Sequence, residues 1–223
     1  MGDPALKIAY PKYNISTDLF EKINYAVKST AKTDTVKALS KISVHGSIKD
    51  DDQNIVPDFN GVLDYKFYDK YLKYYTLGND KSSYPVPFLL RDKVLLKGKA
   101  KVENGKFNFD FIIPKDIAYQ YGSGKMSFYA SDGTNDAKGY FNDFIIGGID
   151  NLAPDDNIGP EISLFINDEN FTFGGITNEN PLLLAFVEDK SGINSTGLGI
   201  GHNIIAILDD NNTQPFLLND YFQ

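Results

Sequence analysis

The 223-residue chain has no cysteine, no tryptophan, and only two histidines and two methionines. Without cysteine it can form no disulfide or thiolate metal site, and it carries no cysteine nucleophile. No run approaches the ~20 apolar residues that span a bilayer. The first ten residues lack the basic segment followed by an apolar stretch that marks a secretory signal. Met1-Gly2 opens like a myristoylation sequence, but Leu6 stands where that motif requires Ser or Thr. Positive charge is also scarce: 22 Lys and Arg against 30 Asp and Glu leave a net charge of −8. That balance disfavours a nucleic-acid partner, because phosphate binding relies on clustered cations that release counterions. The chain reads as a piece of a longer protein.

What is abundant is aromatic, with 16 Phe and 14 Tyr in a chain that is 42% hydrophobic. Disorder is excluded by that content, and Phe and Tyr suit half-buried pleated surfaces. Period-two alternation recurs. Ile42, Val44 and Ile48 oppose Ser43, His45 and Ser47, while Leu63, Tyr65 and Phe67 oppose Asp64 and Lys66. Strands are predicted over 93–102 and 106–113 around Asn104-Gly105, a pair that tolerates positive φ and marks a tight hairpin. The second of these puts Phe107, Phe109, Phe111 and Ile113 on one face. A further pair, 126–130 and 139–146, closes around Ser131-Asp132-Gly133, and the tyrosine-, glycine- and proline-containing stretch 71–88 reads as a long connection. Residues 13–17 form a short strand. Over 19–28, Leu19, Ile23 and Val27 allow a helix, against a strand pair turning at Glu21-Lys22.

The stretch from Gly159 to Tyr221 is a series of extended segments divided by turn formers. Ile162, Leu164 and Ile166 alternate with polar or outward neighbours, Leu182–Val187 reads as a strand buried on both faces, and Ile204–Leu208 as another. Between the two halves, 151–158 (NLAPDDNI) is the one linker candidate. Strands at regular intervals without βαβ alternation predict an all-β chain of two immunoglobulin-like β-sandwich units. Residues 1–11 form a tail entering the first unit, which spans 12–150; 151–158 link it to a second unit over 159–223. Because such a sandwich needs ~7 strands and ~100 residues, the second unit is expected to be truncated. It should then either pair with another copy or be the less stable of the two.

Four phrases of the second half are LFINDENF (164–171), NPLLLAFVEDKSGIN (180–194), GIGHNIIAILD (199–209) and LNDYF (218–222). Together they resemble the region that follows the peptidase domain in the sortases of type IX secretion, gingipain-like cysteine peptidases of the bacterial outer membrane. Gly2–Pro11 resembles the place where a gingipain-type catalytic domain stops. The resemblance covers nearly the whole chain, strongest over Asp189–His202 and weakest over Lys70–Lys97. It implies strands rather than a helix after Leu19. It also implies a non-catalytic region of a parent that cleaves C-terminal sorting signals from secreted cargo and joins the cargo to lipopolysaccharide at the cell surface. The upstream peptidase domain and other secretion components would be its partners, with no nucleic acid and no direct membrane insertion.

Candidate chemistry is sparse. His45 lies on the polar face of a strand and His202 borders a glycine-rich turn; neither has a nucleophile to activate. The family's Cys and His pair belongs to the upstream domain, so no catalytic role carries over. Asp50-Asp51-Asp52, Asp155-Asp156 and Glu188-Asp189 could offer oxygen ligands to calcium, but none has EF-hand order, and solvated turns are the stronger reading. Gly197, Gly199 and Gly201 alternate without the strand-to-helix setting of a phosphate loop. No catalytic, cofactor-binding or metal residue is assigned. The alternative to an accessory region is an independent adhesion or carbohydrate-binding module whose aromatic stretch Tyr65–Tyr84 stacks on sugars.

Overall fold

The computed structural model describes residues 10–24, 29–115, 117–153, 158–189, 192–193 and 203–222. These are all-β, with no helix among them. In chain order the strands are β1 (Tyr13–Ile23), β2 (Thr30–Lys32), β3 (Thr35–Ala38), β4 (Lys41–Lys49), β5 (Gly61–Tyr68) and β6 (Leu72–Tyr75). There follow β7 (Pro87–Leu90), β8 (Val94–Glu103), β9 (Lys106–Ile112), β10 (Gly122–Ser123), β11 (Lys125–Ser131) and β12 (Asp136–Phe141). The last five are β13 (Ile145–Ile149), β14 (Glu161–Ile166), β15 (Leu183–Glu188), β16 (Ile205–Ala206) and β17 (Phe216–Leu217). Two compact units result: Met1–Ala153 together with Asn194–Gln223, and Pro154–Ile193. The chain thus divides inside 151–158, while residues 194–223 group with the first unit.

In the first unit one sheet runs β12-β11-β5-β8-β9-β4-β1-β2, and β12 also pairs with β1. Seven strands therefore close into a ring, with β2 hanging from β1. This departs from two separate sandwich layers, and the register shows how. Within β12-β11-β5-β8 and within β9-β4-β1, neighbouring strands pair over six to nine residues. The two joints are much shorter. β8 and β9 pair only at Val102–Phe107 and Glu103–Lys106, beside the hairpin. β1 and β12 meet in parallel at Tyr13–Ala137, Asn14–Lys138 and Ile15–Gly139. Two broad half-sheets are thus stitched into a flattened barrel, which removes the open edges of a sandwich.

The interior follows from the alternation read in the sequence. Ile42, Val44 and Ile48 on β4, Leu63, Tyr65 and Phe67 on β5, and Phe107 and Phe111 on β9 are buried. Asn104 and Gly105 both take positive φ (52° and 71°), as the tight hairpin requires. Tyr65 stacks on Phe109 with ring centroids 4.0 Å apart and planes 9° apart. Phe128 meets Phe107, Phe67 meets Phe111 and Phe144, and Phe144 stacks on Phe20, so rings from four strands and one loop form a continuous chain. Gly46 points inward on β4 where a Cβ would strike the Phe107 ring. A small sheet, β10-β13-β3, adds Val36, Ala38 and Ile146 to the same core.

Several local expectations need correction. β1 continues through Glu21-Lys22 to Ile23, paired with β4 on both sides of a register shift, and its antiparallel partner β2 begins only at Thr30. A bulge between Thr17 and Leu19 switches the inward parity, so Ile15 and Phe20 are both buried while Leu19 is exposed. The stretch taken as one strand over 139–146 is two, broken at Asn142–Phe144. The 71–88 connection contains the hairpin β6–β7, whose register runs from Leu72–Leu90 to Tyr75–Pro87. Pro87 at a strand start hid it. In the second unit β14 pairs antiparallel with β15. Leu183 and Phe186 of β15 are exposed, where burial on both faces was expected.

The parallel joint has no room for a side chain at Gly139, where a Cβ would meet the carbonyl oxygen and, at 2.7 Å, the Cβ of Ile15. Replacing Gly139 by Ala should cost roughly 1–3 kcal/mol, read as a fall in urea midpoint at unchanged far-UV circular dichroism. An unchanged midpoint would contradict closure at this seam.

Candidate functional site

Most of the sequence candidates are placed apart from one another. His45 sits on the outer face of β4, with its Nε2 3.3 Å from the Ser43 hydroxyl. Asp50 spends its carboxylate on its own turn, accepting from the Asn54 N–H at 2.8 Å, and Asp51 and Asp52 stand exposed beside it. Glu188 ends β15 opposite Glu161. His202, Asp155-Asp156 and the glycines at 197, 199 and 201 lie outside the described residues. Among the described residues no three His, Asp or Glu side chains converge to hold a metal, and no helix is long and apolar enough to cross a membrane.

Two polar clusters that sequence reasoning missed are structural ties. Asp150, just after β13, is buried and accepts from Lys22 Nζ of β1 at 2.7 Å and from the Ser40 hydroxyl at 3.3 Å. Its other oxygen takes the Leu152 N–H at 3.3 Å. Burial pushes this carboxyl's pKa up, but Lys22, the Leu152 N–H and Ser40 together pull it further down, and the net shift is downward. Three segments are tied by this one carboxylate. The second cluster is buried Asp69-Lys70, where Lys70 Nζ donates to Asp69 at 2.9 Å and to the Ala118 carbonyl at 2.7 Å. The first could not be read from spacing, since Lys22 and Asp150 are 128 residues apart in sequence, and the second depends on the Ala118 carbonyl, 48 residues from Lys70.

Exposed apolar residues are spread over the described residues, and two ribbons carry them on a continuous face. On β6–β7, Leu72, Tyr74, Phe88 and Leu90 share one face and all are exposed. Tyr74 stacks on Phe88 at 5.9 Å, and its hydroxyl donates to Asp92 at 2.9 Å. Tyr71 carries the Arg91 guanidinium 4.1 Å from its ring centroid. Of the Tyr65–Tyr84 stretch, Tyr65 is therefore a core residue, and Tyr71, Tyr74, Tyr75 and Tyr84 are the exposed ones. In the second unit, Ile162, Leu164, Ile166, Leu183, Ala185 and Val187 make one wholly apolar face of β14–β15. An isolated two-stranded ribbon is marginal in water, so apolar faces of this kind call for a partner surface.

These features define an all-β domain with a closed aromatic core and exposed apolar ribbons. Comparison with solved structures then connects it to a particular protein: over 99% of its length the chain is similar to dimeric latent PorU from Porphyromonas gingivalis, at 28% identity and a TM-score of 0.62. The family resemblance read from the sequence is borne out to this extent: the chain is PorU-related. It spans about a fifth (21%) of the length of that PorU chain. A β-glucosidase from Listeria innocua aligns with 63% of this chain and 16% of its own at 12% identity, but its TM-score of 0.26 carries no argument. No family model and no curated protein matches the chain.

The Asp150 tie has a pH signature. A carboxyl whose folded pKa lies below its unfolded value stabilises the fold above the unfolded pKa, and the contribution is lost as pH falls through the folded pKa. Asp150→Asn should cost about 1.5–3 kcal/mol near neutrality. The gap to the parent chain should close on acidification, measured by chemical denaturation across the acid range. A gap that stays constant with pH would mean the carboxylate's charge contributes nothing.

Proposed function

We propose that this chain is a non-catalytic β region of a PorU-type sortase, a spacer and docking element for the parent's peptidase domain. The observation that carries this reading is the whole-chain likeness to PorU. The absence of cysteine supports a non-catalytic role, since a gingipain-like enzyme works through a thiolate. In this reading the parent cleaves C-terminal sorting signals and attaches secreted cargo to lipopolysaccharide at the cell surface, with the chemistry residing in the peptidase domain. The exposed face of Leu72, Tyr74, Phe88 and Leu90 supports the docking part, because it offers what a neighbouring domain would bury. Exposed Tyr71, Tyr75 and Tyr84 favour a second reading, an adhesion module that stacks on sugars.

Biosensor titration of the chain against the peptidase domain of a PorU-type protein separates the two. Saturable binding is expected, weakened at least tenfold when Tyr74 and Phe88 are replaced by Ser. Turnover of a sorting-signal peptide by the chain alone is expected to be absent. Binding to a glycan array with no affinity for the peptidase domain would overturn the docking reading.

A further inference from the structure

The outer face of the half-sheet β12-β11-β5-β8 carries a charge opposite in sign to the chain as a whole. Its outward positions follow from the pairing register: Lys97, Lys99 and Lys101 on β8, Lys66 and Asp64 on β5, Tyr129 and Lys125 on β11, and Tyr140, Lys138 and Asp136 on β12. Six lysines thus face three acids (Asp64, Asp136 and Glu103) in a chain of net charge −8. On the outer face of the other half-sheet Lys41 pairs with Asp110 and Lys49 with Asp18, and on the lysine face Lys101 pairs with Glu103.

Within the lysine face, Lys66 and Lys97 lie directly across from each other on adjacent strands. Like charges so placed destabilise a sheet unless an anion sits between them or on them. One already does. Asp220, from the C-terminal part of the same compact unit, is 94% exposed yet places its carboxylate 2.8 Å from Lys97 Nζ. Contact with Lys97 draws its pKa below the usual carboxylate range. The chain's own aspartate therefore marks an anion position on this face. Beside it, Tyr129 and Tyr140 expose their rings, and Lys125 lies 5.4 Å from the Tyr140 centroid.

The spacing specifies the ligand. Lys97, Lys99 and Lys101 alternate along one strand, which sets their stems ~6.8 Å apart. Carboxylates at alternate positions of an extended polypeptide repeat at the same distance. We propose that this face docks an acidic polypeptide segment in extended form, its carboxylates on the β8 lysines and Lys66 and its apolar side chains against Tyr129 and Tyr140, with Asp220 competing for Lys97. The inference stands on the charge pattern and register and does not depend on the relation to PorU.

Fluorescence anisotropy with the chain and a labelled peptide of alternating Glu and Thr, against its Gln counterpart, tests this. The Glu peptide should bind, weaken as salt rises, and discriminate at least tenfold over the Gln peptide. Lys66→Glu with Lys99→Glu should weaken binding at least tenfold at unchanged circular dichroism; Lys66→Gln with Lys99→Gln serves if the reversal disturbs folding. Asp220→Asn should tighten binding by roughly 1.5- to 5-fold, the scale of one exposed ion pair. Equal binding of the two peptides, or no effect of either lysine pair, would overturn the proposal. So would preference for polygalacturonate or single-stranded DNA over the peptide, or sedimentation showing a dimer that the lysine variants dissolve.

Discussion

The stack of Tyr65 on Phe109 is the contact on which the first unit turns, because it joins two half-sheets whose backbones are barely stitched together. The joints supply two and three paired residues, against six to nine between strands inside each half. Hydrogen bonding alone would leave these seams as frayed as strand ends. The rings fill the gap. Burying an aromatic side chain is worth about 1.5–3 kcal/mol, and paired rings add about 0.5–1.5 kcal/mol each. Small inward residues make this packing fit: Gly98 leaves space for the Tyr65 hydroxyl and Gly46 for Phe107. The aromatic richness evident in the composition is thus the means by which a short-seamed barrel closes.

Much of this was legible from alternation. The inward sets on β4, β5 and β9 and the Asn104-Gly105 hairpin follow from period-two burial and local backbone preference. What was not legible has a common cause. The bulge near Asp18, the parallel return of β12 to β1, and the Asp150–Lys22–Ser40 tie all depend on residues brought together across the fold. A sequence pattern reports which face a residue takes, not which strand lies beside it. The same limit explains β15, whose apolar run reads as a doubly buried strand but is exposed in the structure.

Function follows the surfaces, since the candidate chemistry is dispersed. His45 hydrogen-bonds to Ser43 on one outer face, and Asp50 is committed to its own turn. By contrast the apolar face of β6–β7 is exposed, as are Lys99 and Lys101 of the β8 row beside half-buried Lys97, and each set follows from strand register. The weakest stretch of the family resemblance, Lys70–Lys97, is also the one that carries the β6–β7 ribbon.

Closure of the barrel by the β1–β12 seam is the central structural claim, and amide hydrogen exchange tests it most directly. If the sheet is closed, the amides of Ile15 and Gly139 should be protected to within a few-fold of those of Val44 and Leu63 in the middle of the half-sheets, since all open only with the whole unit. Exchange of Ile15 and Gly139 at the rate of the exposed Asp51-Asp52 turn would instead describe an open two-layer sandwich and contradict the account.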